Sequence, residues 1–322
     1  MKKDYIQVLR GIAILGVLMI HVTSNSGSNL TLVIRQLVNY AVPLFLFIAG
    51  YLINTEKFNN KDYIKSFYKK RVLRVGIPYL IFSIIAFLLS EDLRKLSLAK
   101  KIFFLLTGQA NSIYYYILVY IQLILLTPIL IKLLNKIDAK FIYSITILSR
   151  IIEYILILTG HQLRFPYNSL FFPTWILFYY MGLVFKNTNK SLNIKKISTL
   201  TIIMFILSIC EGVIWLKLGY TSVAVSTAKI SSLFFGFYFI EFLIYFKDSL
   251  NNKLLKFIGD NSFGIYLIHM FILRVINSHI SFNIELINIT FYLVSTLVIS
   301  LLIIFIVKKV IGDKYALKLF GF

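Results

Sequence analysis

Two ionisable residues stand at the ends of one apolar run, RGIAILGVLMIH, which begins at Arg10 and ends at His21. An imidazole takes up and returns a proton near neutral pH, so His21 suits general-base work on an alcohol. A guanidinium offers a fork of donors to a phosphate or a carbonyl oxygen, the role open to Arg10. Eleven helical steps put the two about 16 Å apart along the axis, and at about 100° per step they return to nearly one face. If this run crosses a bilayer, Arg10 sits near one headgroup layer and His21 lies about half a membrane away. An ionisable group at such depth is costly to keep and is read first as functional. Structural roles stand beside these: a hydrogen bond from His21 to a neighbouring helix, or an arginine that snorkels at a helix end.

A second imidazole, His269, closes the run NSFGIYLIH from Asn261, with Tyr266 one turn before it. Functional and packing roles are both open there. The stretch KSFYKKRVLR, from Lys65 to Arg74, places Arg71 and Arg74 three residues apart on one helix face, with Lys70 beside them. Such a face suits a diphosphate or a 3′-phosphate, and it equally suits an ordinary basic loop at the inner membrane surface. VPLFLFIAGYL, from Val42 to Leu52, carries a proline and small residues that allow a kink and close helix approach. Glu153 has Arg150 three residues before it, a local ion pair. Glu211 and Glu241 also fall in apolar runs. The four histidines have no HExxH-type spacing, and no Walker-type or GxGxxG loop occurs.

The elements that must hold these residues are membrane helices. Of the 322 residues, 59% are hydrophobic, which predicts an all-α integral membrane protein, a bundle of about ten spans in a single domain over residues 1–322. The expected spans lie near 5–24, 36–54, 74–90, 112–131, 141–159, 171–186, 197–216, 229–247, 259–277 and 286–307. The net charge of +21 interrupts apolar runs instead of forming one solvated patch, so it reads as topology signal and anionic-lipid contact, not nucleic-acid binding. With the N-terminus inside, about 24 of the 34 lysines and arginines fall on the inner side, including Lys2 and Lys3. Both termini are therefore expected in the cytoplasm. The discordant basic cluster at 94–101 is expected to be an interfacial amphipathic helix. The first run is expected to be a retained signal-anchor, because Arg10 interrupts it and many spans follow. The lone Cys210 allows no intramolecular disulfide.

Several of these stretches together resemble the acyltransferase 3 family of bacterial membrane proteins. Arg10-x10-His21 matches its first-helix motif, and residues 42–52 resemble its VPLFFxxSGYL. Arg71-x-x-Arg74 followed by Ile77-Pro78-Tyr79 resembles its arginine motif, and FYYMGLVF at 178–185 and SFGIYLIH at 262–269 resemble its later helices. The length is similar to the branch that O-acetylates surface polysaccharides, such as the enterobacterial common antigen acetyltransferase. The resemblance implies acyl-CoA (acetyl-CoA) as cytoplasmic donor and a hydroxyl of a glycan or lipid-linked glycan as acceptor. His21 would then be the base or a transient acyl relay, with Arg10 helping to hold the donor. Lys70, Arg71 and Arg74 would contact CoA phosphates, and His269 and Tyr266 would support. Two departures stand out: Ala49 replaces the usual serine of the second-helix motif, and Ile113-Tyr114-Tyr115-Tyr116 replaces an aromatic start commonly His-Leu-Trp-Phe. The rival readings are a transporter of a polysaccharide or small solute, and a non-catalytic membrane module.

Overall fold

The computed structural model describes residues 4–24, 28–134, 136–188 and 192–322. The expected inner-side residues Lys2, Lys3 and Lys190 lie outside the described residues. The described chain is all-helical, without a strand. In chain order the main helices are α1 (Asp4–Val22), α2 (Asn29–Leu37), α3 (Ala41–Tyr51), α4 (Lys61–Leu89), α5 (Leu98–Thr107), α6 (Tyr115–Leu133), α7 (Ala139–Leu158), α8 (Ile176–Asn187), α9 (Ile194–Lys217), α10 (Ile230–Tyr245), α11 (Lys253–Asp260), α12 (Ser262–His279) and α13 (Glu285–Ile311).

Among the described residues, seven helical stretches are long and apolar enough to cross a membrane: 4–22, 29–51, 61–89, 112–133, 139–158, 194–217 and 285–311. The remaining three expected spans fall on the shorter α8 and α10 and on α12, which carries more polar residues. The protein is an all-α integral membrane protein.

Two boundaries differ from the sequence reading in ways that matter for the site. The second span was expected to start at 36, but the helix starts at Asn29, because the Ser28 hydroxyl accepts the Thr31 amide (3.0 Å) and caps a new first turn. The stretch then breaks between α2 and α3, where Pro43 has no amide to offer the Asn39 carbonyl. Arg35 is thereby inside a helix instead of in a loop. The third span was expected from residue 74, but α4 runs unbroken from Lys61, so the basic stretch and the apolar run are one rod. The Asn60 side chain caps it by accepting from the Asp62 and Tyr63 amides (2.8 and 3.1 Å).

The chain divides into two compact units, residues 1–48 with 188–306, and residues 49–187 with 307–322. In the first, α1 packs along α11 with the backbones nearly touching. A Cβ on Gly11 would collide with the Leu255 carbonyl, and one on Gly259 with the Gln7 carbonyl. Lys256 and Asp4 close the same contact with an ion pair at 2.8 Å, and this hydrogen bond raises the Lys256 ammonium above its ordinary pKa. In the second unit the C-terminal segment returns onto α4, where Phe82 meets the rings of Phe320 and Phe322. Tyr68 of α4 donates to the Leu125 carbonyl of α6 (3.0 Å). Gly50 sits against the Tyr179 backbone, where any side chain would clash. The basic cluster at 94–101 leads into α5, capped by Ser97 and ended at Gly108 (φ +73°), with Leu98, Ile102, Phe103 and Leu106 exposed.

Candidate functional site

His21 lies in the last turn of α1, one residue before the helix ends at Val22. It is therefore an end-of-helix imidazole, at the opposite end of the helix from Asp4. Its ring is part-buried. The last-turn carbonyls of a helix lack amide partners within the helix; here the Thr23 and Ser24 amides reach Met19 and His21 (3.1 and 3.2 Å) and side chains add to them. The Thr23 hydroxyl donates to Met19 (2.7 Å) and Ile20 (3.3 Å), and the Ser24 hydroxyl donates to His21 itself (2.7 Å). Arg35 reaches in from α2 and donates through one guanidinium nitrogen to the Ile20 carbonyl.

The second imidazole is beside the first. The rings of His21 and His269 are 5.2 Å apart between centroids and tilted by 48°. His269 is completely buried. Its Nδ1 lies 2.8 Å from the Tyr266 carbonyl and 3.1 Å from the Ile265 carbonyl. Carbonyls only accept, so Nδ1 carries the hydrogen and Nε2 is left with a lone pair. That Nε2 is buried and has no hydrogen-bond partner among the described residues. Tyr266 joins the pair at ring level, 6.1 Å from His269.

Arg10 is part-buried on α1 and donates to the Gln7 side chain (3.1 Å). The structure thus gives His21 its nearest ring partner from α12, not from Arg10. In the second unit, Lys70, Arg71 and Arg74 lie on the solvent-reaching part of α4. Lys70 and Arg74 are exposed, while Arg71 is part-buried with its guanidinium 5.7 Å from the Phe67 ring centre. That is a presented cationic face, available to an anion.

Two further residues, Arg35 beside His21 and Lys229 beneath the helix that carries Arg35, were not singled out in the sequence. Arg35 bridges the Ile20 and Val225 carbonyls, the second at 3.1 Å. Lys229 is completely buried and donates to Gln36 Oε1 (2.5 Å), Ser232 Oγ (2.9 Å), Ser208 Oγ (3.2 Å) and the Ser208 carbonyl (3.4 Å). Asn39 joins the same cluster through Gln36 (2.9 Å) and Ser232 (3.0 Å). The available signal was the spacing of Gln36 and Asn39 on one face, matched by Ser231-Ser232 behind Lys229. Of the acidic residues, Glu211 binds the Ser231 amide (2.9 Å) and hydroxyl, and Arg150 pairs with Glu153 as the spacing predicts.

Residues 3–305 match the model of the acyltransferase 3 family, described as an acyltransferase domain. The match covers nearly the whole chain, and the protein belongs to that family. It is a membrane acyltransferase. No curated protein and no solved structure matches it.

Proposed function

We propose that this protein moves an acetyl or other short acyl group from acyl-CoA to a hydroxyl of a cell-surface glycan or its lipid-linked precursor, in a bacterial cytoplasmic membrane with both termini inside. The observation that carries this reading is the His21–His269 pair, a part-buried imidazole backed by a fully buried one whose tautomer is fixed by backbone. His21 is the base: its free ring nitrogen takes the proton from the acceptor hydroxyl as the oxygen attacks the thioester carbonyl. The tetrahedral centre then expels CoA as thiolate, the C–S bond breaks, and the imidazolium returns the proton to sulfur. The oxygen–acyl ester is the product. Alternatively the same nitrogen carries the acyl group briefly before the hydroxyl takes it. A thioester is already activated, so one positioned base contributes about 10²–10⁴ in rate without a metal.

The donor half of the reading rests on Arg71 and Arg74, three residues apart on α4, whose guanidinium forks suit a phosphate. Arg10, on the same helix as His21, is proposed to help hold the donor. The test is thiol release from acetyl-CoA by the purified protein supplied with envelope glycan. Release that requires both acceptor and His21 supports the reading, and release without either overturns it.

A further inference from the structure

We propose that Arg35 is the positioning residue of the catalytic helix end: it holds the Ile20–His21 turn in place by gripping the Ile20 carbonyl, and the buried Lys229 cluster holds Arg35's own helix in turn. This inference rests on the reading of His21 as the reacting imidazole.

Three observations on separate elements converge. First, the end of α1 is finished by side chains, and Arg35 is the only charged one among those named there. A cation at a helix C-terminus meets the negative end of the helix dipole. Second, Arg35 and its neighbour Gln36 seize two successive carbonyls of one segment. Arg35 donates to Val225 (3.1 Å) and Gln36 donates to Ala224 (3.0 Å). The guanidinium is thus a strut between the 224–225 segment and the turn before His21. A planar fork with fixed donor directions makes such a strut stiffer than an ammonium would. Third, Gln36 is itself pinned. Its Oε1 accepts from Lys229 (2.5 Å), Ser208 (2.8 Å) and Asn39 (2.9 Å), all completely buried. A buried ammonium is costly unless its donors are used, and Lys229 directs its own to Gln36, Ser208 and Ser232 with Glu211 as an acidic neighbour, which ties α2, α9 and α10 into one arrangement. That arrangement sets where Arg35 can reach.

Arg35 acts through His21 and not on a substrate, and this makes the claim separable from general folding effects. In the purified full-length protein, Arg35→Gln is expected to lower kcat by about 10–100-fold, the cost of misplacing a reacting group by about an ångström. KM for acetyl-CoA should change less than twofold, and Arg35→Lys should recover part of the loss. A raised donor KM with unchanged kcat overturns the proposal. A second readout does not depend on acyl transfer. The rate at which diethyl pyrocarbonate modifies His21, followed by mass spectrometry against the exposed His161 and His279, should change at least threefold in Arg35→Gln and less in Arg35→Lys. An unchanged His21 rate overturns the positioning role even if the protein proves to use another substrate. A wild-type protein that transfers no acyl group, with His21 labelling still governed by Arg35, overturns only the reading of the reaction.

Discussion

His21 and His269 come from helices at opposite ends of the chain, yet their rings lie 5.2 Å apart and tilted by 48°. The buried ring donates through Nδ1 to its own helix and keeps an acceptor nitrogen with no partner among the described residues. Of the two rings, only that of His21 belongs to a residue that is not fully buried.

From this it follows that His21→Ala abolishes acyl transfer, with a loss of about 10²–10⁴ or more. The chain should still insert and fold, because that side chain is only part-buried. Thiol release and a thermal melt in detergent check the two halves. Near-normal turnover would remove the proposed base.

His269 should divide by substitution. Asn keeps a donor near the Nδ1 position and discards the distal acceptor, whereas Ala discards both. His269→Asn is expected to fold and to lose about tenfold or more in kcat, while His269→Ala also lowers stability by roughly 2–4 kcal/mol through lost packing. Equal turnover in His269→Asn and wild type would make the second ring a packing residue only.

The donor face is tested separately. Arg71→Ala and Arg74→Ala are each expected to raise KM for acyl-CoA, by about tenfold for a charge-assisted phosphate contact, with kcat little altered. Two unchanged KM values would move the donor site off α4.

Gly11 tests the packing under the site. Gly11→Val drives a side chain into the Leu255 carbonyl, and overpacking against backbone is expected to cost about 3 kcal/mol. The variant should melt earlier in detergent and lose the 2.8 Å Asp4–Lys256 pair, readable as a return of the Lys256 pKa towards its ordinary value by NMR. A melt identical to wild type would mean that α1 and α11 separate easily.

Helices and most of their order were legible because long apolar runs admit few alternatives in lipid. His21 and His269 were legible as ionisable groups inside such runs, and Arg150–Glu153 as an i,i+3 pair. Their meeting was not, since only tertiary packing brings α1 to α12. Arg35 was missed for a local reason: with the span drawn from 36, it fell into the loop, and the Ser28 cap that moves the helix start carries little signal alone. Lys229 was missed because a lysine at a span edge reads as a topology marker. Its acceptors, Gln36 and Ser208, come from helices distant in sequence.

Lys229 also bears on how the chain reaches its membrane. A lysine ammonium alone in hydrocarbon costs about 3 kcal/mol or more on insertion scales, yet two of its oxygens belong to Ser208 on the preceding helix α9. The lone α10 is short and carries this charge at its threshold. It should therefore partition poorly by itself and well as a hairpin behind α9, so that a glycosylation-site insertion assay of the two segments, separate and joined, would read biogenesis as pairwise and not helix by helix.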